Sequence, residues 1–474
     1  MANVVAVALA KGDGIGPEIS DVVIDILETA KCNISFDEVH IGKEVYERGN
    51  RSGIDETAWK KILRHKVLLK GPITTPQGGG YKSINVTLRK GLGLFANIRP
   101  CISLHPYVEA KVPDLKCVIV RENEEDLYAG IEYSHTVDSF HAIKIVSKPG
   151  TEKILRLAFQ LTDKSRMQRV TCMTKDNILK ITDGYFHARF REIAKEYPHI
   201  HSEHLIVDIG SAKLISDPKR FETIVTLNLY GDILSDIAAE ATGSIGLAGS
   251  ANLGELASMF EAVHGSAPDI AGMNLANPSG LLCAAVFMLG HIGQTNKAEL
   301  IQNAWLSVIE QGIHTRDMKS GLTKKIVGTK EFGEAVKQNL GETPKTLKHF
   351  LIPSLDLNVP LNIDCNSEKS FDGADIYVSS KPDKVFAVAE NIKDKDISGF
   401  KLRLISNRGL LVWPELKAET LMIDNFRLRF QGGERSKIPR LIEKIEELGL
   451  EVVKHECLFS FATSRSYSLA QGED

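Results

Sequence analysis

What the chain has little of narrows its class first. No apolar run approaches the roughly 18–20 residues that span a bilayer, and proline is sparse, 17 against 38 glycines. A composition of 43% hydrophobic and 25% charged residues excludes a disordered or collagen-like chain. An excess of one charge is also missing. Basic residues number 58 and acidic ones 61, so nothing global points to nucleic acid or to an anionic membrane surface. The seven cysteines are scattered, odd in number and form no CxxC pair, which predicts reduced thiols and a cytoplasmic location. Met1–Ala10 has no basic segment ahead of its apolar residues and runs into a glycine turn, as a buried first strand would, not a leader peptide. The length, 474 residues, exceeds what one core organises, so two or three domains are expected.

Over roughly the first 340 residues, short apolar runs alternate with helical patterns. Val4–Leu9 reads as a strand, and Ile19, Val22, Val23, Ile26 and Leu27 then fall on one helix face. Val67–Leu69, Cys117–Val120, Leu205–Val207 and Thr223–Thr226 read as strands, with helices such as Lys153–Leu161 and Phe186–Glu196 between them. The alternation predicts an α/β architecture with a largely parallel sheet. Residues 343–370 mix Pro, Asn, Ser and Asp with little periodicity and read as a linker. Residues 371–474 follow the order β-α-β-β-β-α-β, which predicts a small α+β domain of ferredoxin-like type.

Several residues carry candidate chemistry. Gly12-Asp13-Gly14-Ile15-Gly16 follows a strand and opens a helix, but its third glycine comes one residue too early for the Rossmann fingerprint. Ser83 and Asn85 sit near the start of a helix, an end that favours anions. Arg89, Arg99 and Arg121 lie at element ends and bring planar forks suited to carboxylates. Together they suggest a polyanionic small substrate, although each alone could pair with a surface acid. Asp232 and Asp236 stand at i and i+4 on one helix face. With Asp208, at the end of another strand, they offer three hard oxygen ligands suited to Mg²⁺ or Mn²⁺. The alternative makes Asp232 a helix cap.

The runs Gly12–Glu18, Lys82–Arg89, Asn97–Pro100, Arg121–Gly130, Gly231–Asp236 and His264–Gly272 resemble the β-decarboxylating dehydrogenases. That family comprises isocitrate, homoisocitrate and 3-isopropylmalate dehydrogenases, and the resemblance covers roughly residues 5–342. It implies that family's two-lobed fold, distinct from a Rossmann domain. The catalytic unit would be residues 1–342, with a large lobe at about 1–94 and 243–342 and a small lobe and dimer clasp at about 95–242. The extension at 371–474 resembles that of certain long bacterial isocitrate dehydrogenases.

Ser83-x-Asn85…Arg89 matches the isocitrate subclass, whose serine and asparagine face the substrate's γ-carboxylate. A polar pair there rejects an apolar substituent, because its donors would be left unpaired. The implied reaction is oxidative decarboxylation of isocitrate to 2-oxoglutarate. The resemblance implies that Arg89, Arg99 and Arg121 hold the α- and β-carboxylates, and that Tyr128 and Lys175 are catalytic. It gives the metal to Asp232, Asp236 and the partner subunit's Asp208, with Lys175 also crossing between subunits, so at least a homodimer is implied.

In the family's adenosine-binding loop, Asp269 and Ile270 stand where NADP enzymes carry Lys-Tyr. A carboxylate there accepts hydrogen bonds from ribose hydroxyls and repels a 2′-phosphate. The expectation is therefore NAD, with His264, Gly265 and Asn277 at the adenine and ribose and Thr75 near the nicotinamide; Arg316 and Lys319 stand against it. A homoisocitrate or 3-isopropylmalate dehydrogenase, or a non-catalytic regulatory subunit, remains an open alternative.

Overall fold

Apolar strands buried on both faces, such as Val67–Lys70 and Thr223–Thr226, belong to a sheet covered by helices on each side. The computed structural model describes residues 4–74, 83–359, 368–416, 419–461 and 464–473. They divide into two units: 1–128, 145–178 and 182–361 form the first, and 129–144, 179–181 and 362–474 the second.

The first unit is built on one ten-stranded sheet. Its spatial order is 34–38, 5–10, 67–70, 258–262, 249–253, 96–102, 116–122, 223–226, 169–174, 201–206. Both wings pair in parallel, whereas the three central pairings, from 258–262 across to 116–122, are antiparallel. The α/β class with a largely parallel sheet is as expected. The antiparallel centre has a use: its register sets Asn252 opposite Asn97 and Asn97 opposite Arg121.

Helix Gly16–Thr29 buries the predicted stripe of Ile19, Val23, Ile26 and Leu27. Helix Ser279–His291 is apolar all round and buried along almost its whole length, as a central helix must be. The strand expected at Leu205–Val207 is His201–Ile206, and Val207 instead opens the helix running to Ser216. This strand lies at the sheet edge with its side chains half-buried, so its apolar run is short and its start hard to see. Among the described residues no helix is long and apolar enough to cross a membrane.

The glycines that imitate a dinucleotide motif serve close packing. Gly12 and Gly14 have φ of +74° and +58°, and a Cβ on them would stand 2.1 Å from the Pro72 carbonyl oxygen and 1.9 Å from that of Ser266. Only glycine tolerates both the dihedral and the approach.

The second unit is a six-stranded sheet, in the order 410–413, 400–407, 425–432, 369–379, 451–461, 464–465, all pairs antiparallel. Helices Pro382–Ile392 and Ile438–Glu447 cover one face, packing Val385 and Leu441 onto Ile376, Leu428 and Phe430. The β-α-β-β-β-α-β order matches the expectation, and a short further strand, 464–465, is added at the sheet edge. A hairpin, Glu132–Ser134 with Phe140–Ala142, groups with this unit. Thr136 donates its hydroxyl to Asp424 at 2.6 Å, and the ring of His141 lies 5.9 Å from that of Tyr377.

Candidate active site

In the first unit, strand ends at the sheet centre and two helices enclose a cavity of about 220 Å³ lined by Ser83, Asn85, Arg89, Arg99, Tyr128, Asp232 and Asp236. Asp232 is its hub. Arg121 and the Tyr128 hydroxyl both donate to its carboxylate, and Arg99 stands 3.3 Å away. Arg99 also donates to Ser235 at 2.6 Å and pairs with Asp236 at 3.3 Å. Asp232 lies inside helix Asn228–Ala241 and is not its cap; Asp126 instead accepts from the Leu229 amide at 2.8 Å.

Arg121 is fully buried behind Asp232, donating twice to the Asn228 side-chain oxygen at 3.0 and 2.7 Å. It has room because residue 231 is glycine: a Cβ there would come within 2.7 Å of the Arg121 Cβ. Arg89 pairs with Glu261 at 3.1 Å, and Lys70 reaches the same carboxylate at 2.8 Å. Asn252 donates to Glu261 at 2.9 Å and accepts from Asn97 at 3.0 Å, and Asn97 in turn accepts from Arg99. A buried polar chain thus ties two of the arginines together. Among the described residues, Asn85 Oδ1 and Arg89 Nε are buried without a hydrogen-bond partner. Buried polar atoms are seldom left so, and these two mark where a polar ligand fits.

The charges perturb one another. Burial raises the Asp232 carboxyl, but Arg121 and Arg99 outweigh that and hold it below the usual range. Burial raises Asp236, which has the weaker cationic support. Burial, with crowding by Arg99 and Arg89, pushes Arg121 down to about 10. Burial and the bond to Asp232 raise the Tyr128 phenol, which stays protonated at neutral pH. Carboxylate oxygens beside one another are hard donors that fit Mg²⁺ or Mn²⁺.

Lys175 and Asp208 do not line this cavity. They pair with each other at 3.0 Å on strand and helix ends, Asp208 largely exposed. Asp183, buried, accepts from the Lys175 amide at 2.8 Å and from the Tyr230 hydroxyl at 3.1 Å. Beside them His187 bonds Asp176 at 2.6 Å and stacks on His204 at 3.5 Å between ring centroids. Among the described residues, Asp176, His187 and His204 are the only group of three whose ligand atoms converge, within 4.8 Å; Asp208 is not gathered with Asp232 and Asp236.

A larger cavity of about 790 Å³ in the same unit is lined by Ile15, His264, Gly265, Ile270, Asn277 and Arg316, among others. His264 and Gly265 line both cavities, so the two meet there. Asp269 is exposed on the turn Pro268–Ile270 and does not line this cavity. Asp317 accepts from Asn277 at 2.9 Å, Ser244 at 2.7 Å and Thr315 at 2.6 Å. Thr75 lies outside the described residues.

Sequence reasoning missed Lys70, Glu261, Asn97, Asn252 and Asn228. Lys70 offered a signal, as a charge ending the apolar run Val67–Leu69. Asn97 opened one of the motif runs, Asn97–Pro100, whereas Asn228 and Asn252 offered none.

The smaller cavity is one of arginines and adjacent carboxylates, and it opens beside a histidine onto the larger one. The chain belongs to the isocitrate/isopropylmalate dehydrogenase family, whose model matches residues 6–336. Residues 369–473 match the bacterial isocitrate dehydrogenase C-terminal domain. The chain is 48% identical to the isocitrate dehydrogenase [NADP] of Rickettsia felis over the full length of both. It is 37% identical to that of Thermus thermophilus, over 99% of this chain and 96% of the relative. The crystal structure of the TT0538 protein from Thermus thermophilus superposes with a TM-score of 0.89 at 36% identity, over 99% and 96% of the two chains. The family is decarboxylating and metal-dependent.

These relatives overturn the expectation of NAD and of an NAD-type enzyme, because they are named as NADP enzymes. The geometry explains the error. That expectation rested on Asp269, which is exposed and does not line the larger cavity, whereas Arg316, which stood against it, does.

Alanine normally improves a helix interior over glycine by about 1 kcal/mol, yet Gly231→Ala must displace Arg121. We expect kcat/KM to fall on the order of 10²-fold, as a shift of about 1 Å near the chemistry does; an unchanged kcat/KM would contradict this seat for Arg121. A second outcome concerns pH. Burial and the neighbouring His187 push His204 down to about 4, so the folded imidazole is neutral while an unfolded one protonates near about 6.5. The contribution to stability is whole above that pH and is lost as pH falls toward about 4. Urea midpoints across this window should decline less in His204→Gln than in the wild type.

Proposed function

We propose that the chain oxidatively decarboxylates isocitrate to 2-oxoglutarate and CO₂ while reducing NADP. The observation that carries this reading is the polar pair Ser83 and Asn85 beside two arginines and two aspartates, with the Arg89 Nε–H, among the described residues, awaiting an acceptor. An isopropyl group would leave that donor buried and unpaired.

Arg89 and Arg99 bind the substrate's carboxylates as bidentate forks. Arg121, being fully buried, acts on the cavity through Asp232 and the face of the Tyr128 ring, 4.8 Å from its guanidinium. Asp232 and Asp236, with the partner subunit's Asp208, would hold Mg²⁺ or Mn²⁺, a Lewis acid for the oxygen at the oxidised carbon. Lys175 of the partner subunit assists removal of the C2 hydroxyl proton. Tyr128, kept protonated and aimed by Asp232, returns a proton to the carbon that loses CO₂.

The homodimer is part of this proposal. Ile209 and Ile215 on one helix, and Ile233 and Ile237 on the helix that carries the aspartates, are apolar and exposed. Lys175 and Asp208 stand apart from the cavity of their own chain, as residues supplied to another copy would. The thiols, free among the described residues, fit the reducing cytoplasm.

For the cofactor, Arg316 supplies a cation within the cleft for a 2′-phosphate. Initial rates with isocitrate should favour NADP strongly over NAD, and Arg316→Ala should raise KM for NADP roughly tenfold or more with little change in kcat. A preference for NAD would sink the proposal. Ser83→Leu should cost on the order of 10²-fold or more in kcat/KM for isocitrate; an unchanged value would remove the substrate assignment.

A further inference from the structure

The second unit contains a built cavity that the dehydrogenase reaction does not use. Helices cover one face of its sheet. On the other face Asp375 and Arg429 stand opposite each other on paired strands, both buried, joined by two bonds of 2.8 Å. The end of the chain is drawn over this face. Arg429 donates to the Ser468 carbonyl at 3.0 Å and pairs with Glu473 at 3.2 Å, while Gln471 exchanges backbone bonds with Gly409 and Leu411. Beneath this tail lies a cavity of about 310 Å³, a volume suited to a small metabolite.

Its charges are uneven in commitment. Asp372 is occupied by the hydroxyl of Ser460, and Glu473 by Arg429 and by the Ala470 amide at 2.8 Å. Arg429 commits four of its five donors to Asp375, Glu473 and the Ser468 carbonyl. Arg403 and Arg465 also line the cavity, and among the described residues neither has a carboxylate partner. A bulge between Leu402 and Leu404 explains why both Arg403 and Leu404 reach the same space. Tyr467 fixes the far wall, with Arg429 at 4.9 Å and Arg465 at 5.4 Å from its ring. Two planar cations without carboxylate partners thus line a partly open space in which Glu473 is paired with Arg429, while Asp372 is held by a hydroxyl and keeps its charge. Cations so placed select an anion with at least two charges.

We propose that this cavity binds a small polyanion bearing carboxylate or phosphate groups, gripped by Arg403 and Arg465 under the C-terminal tail. The ligand would lie against residues 465–473 and slow their opening. Hydrogen exchange of the full-length chain reads this locally and separately from the substrate cavity, whose own arginines bind anions too. Citrate and inorganic phosphate, each at millimolar concentration, serve as probes, with chloride at equal ionic strength as reference.

The expected result is protection of amides in 464–473 by one or both probes and its loss in Arg403→Ala/Arg465→Ala, with protection near Arg99 unchanged. Both substituted residues are exposed, so the variant should fold. The Arg403→Lys/Arg465→Lys chain, keeping charge without the fork, should show partial protection. Response to citrate alone would identify a polycarboxylate, and response to phosphate alone a phosphate compound. No protection by either, equal protection by chloride, or undiminished protection in the alanine variant would overturn the proposal.

Discussion

The contact between Asp232 and its ring of donors sets the terms for everything around it. Three arginines cluster near one carboxylate, and one of them, Arg121, is wholly out of solvent. A buried guanidinium is tolerable only when paired, and removing either member of such a pair is costly. Asp232 offsets part of that cost, Asn228 takes two further protons of the fork, and Gly231 leaves the space to do so. The surplus of positive charge that remains would suit the polyanionic substrate proposed for this cavity. Lys70, Arg89 and Glu261 repeat the device one layer deeper, where two cations hold Glu261 below the usual carboxylate range despite complete burial.

Much of this was legible from the residues themselves. Strands such as Thr223–Thr226 and the order of elements in 371–474 follow from apolar periodicity and turn residues, which are local properties. Ser83, Asn85, Arg89, Arg99, Tyr128, Asp232 and Asp236 sit in motifs, and the structure gathers all of them around one cavity. What escaped was non-local. Asn97 and Asn252 acquire their meaning from an antiparallel register between strands about 155 positions apart, and no local pattern encodes that. Asp269 was misjudged for a related reason. Its carboxylate pointed to NAD, against the relatives named as NADP enzymes, and which residues of the turn Pro268–Ile270 line the cavity is decided by the fold around it and not by the residue.

The two cavities of the first unit divide labour along the chain. Charged strand ends build the smaller, whereas loops after the strand Ser258–Ala262 and before the helix Ser279–His291 build the larger. His264, pushed down by burial, is neutral where they meet. A neutral ring there adds no cation to a region already crowded with them.

The hairpin within residues 129–144 ties distant parts of the chain together. The chain enters it directly after Tyr128, yet its neighbours are Tyr377 and Asp424, about 240 and 290 positions downstream. The C-terminal unit is therefore no detachable appendage. Excising it would strip a mid-chain segment of its scaffold, so the modular boundary drawn along the sequence and the one drawn in space are different cuts. The loop that follows Tyr128 is thus constrained by residues of the C-terminal unit as well as by its own neighbours in the chain.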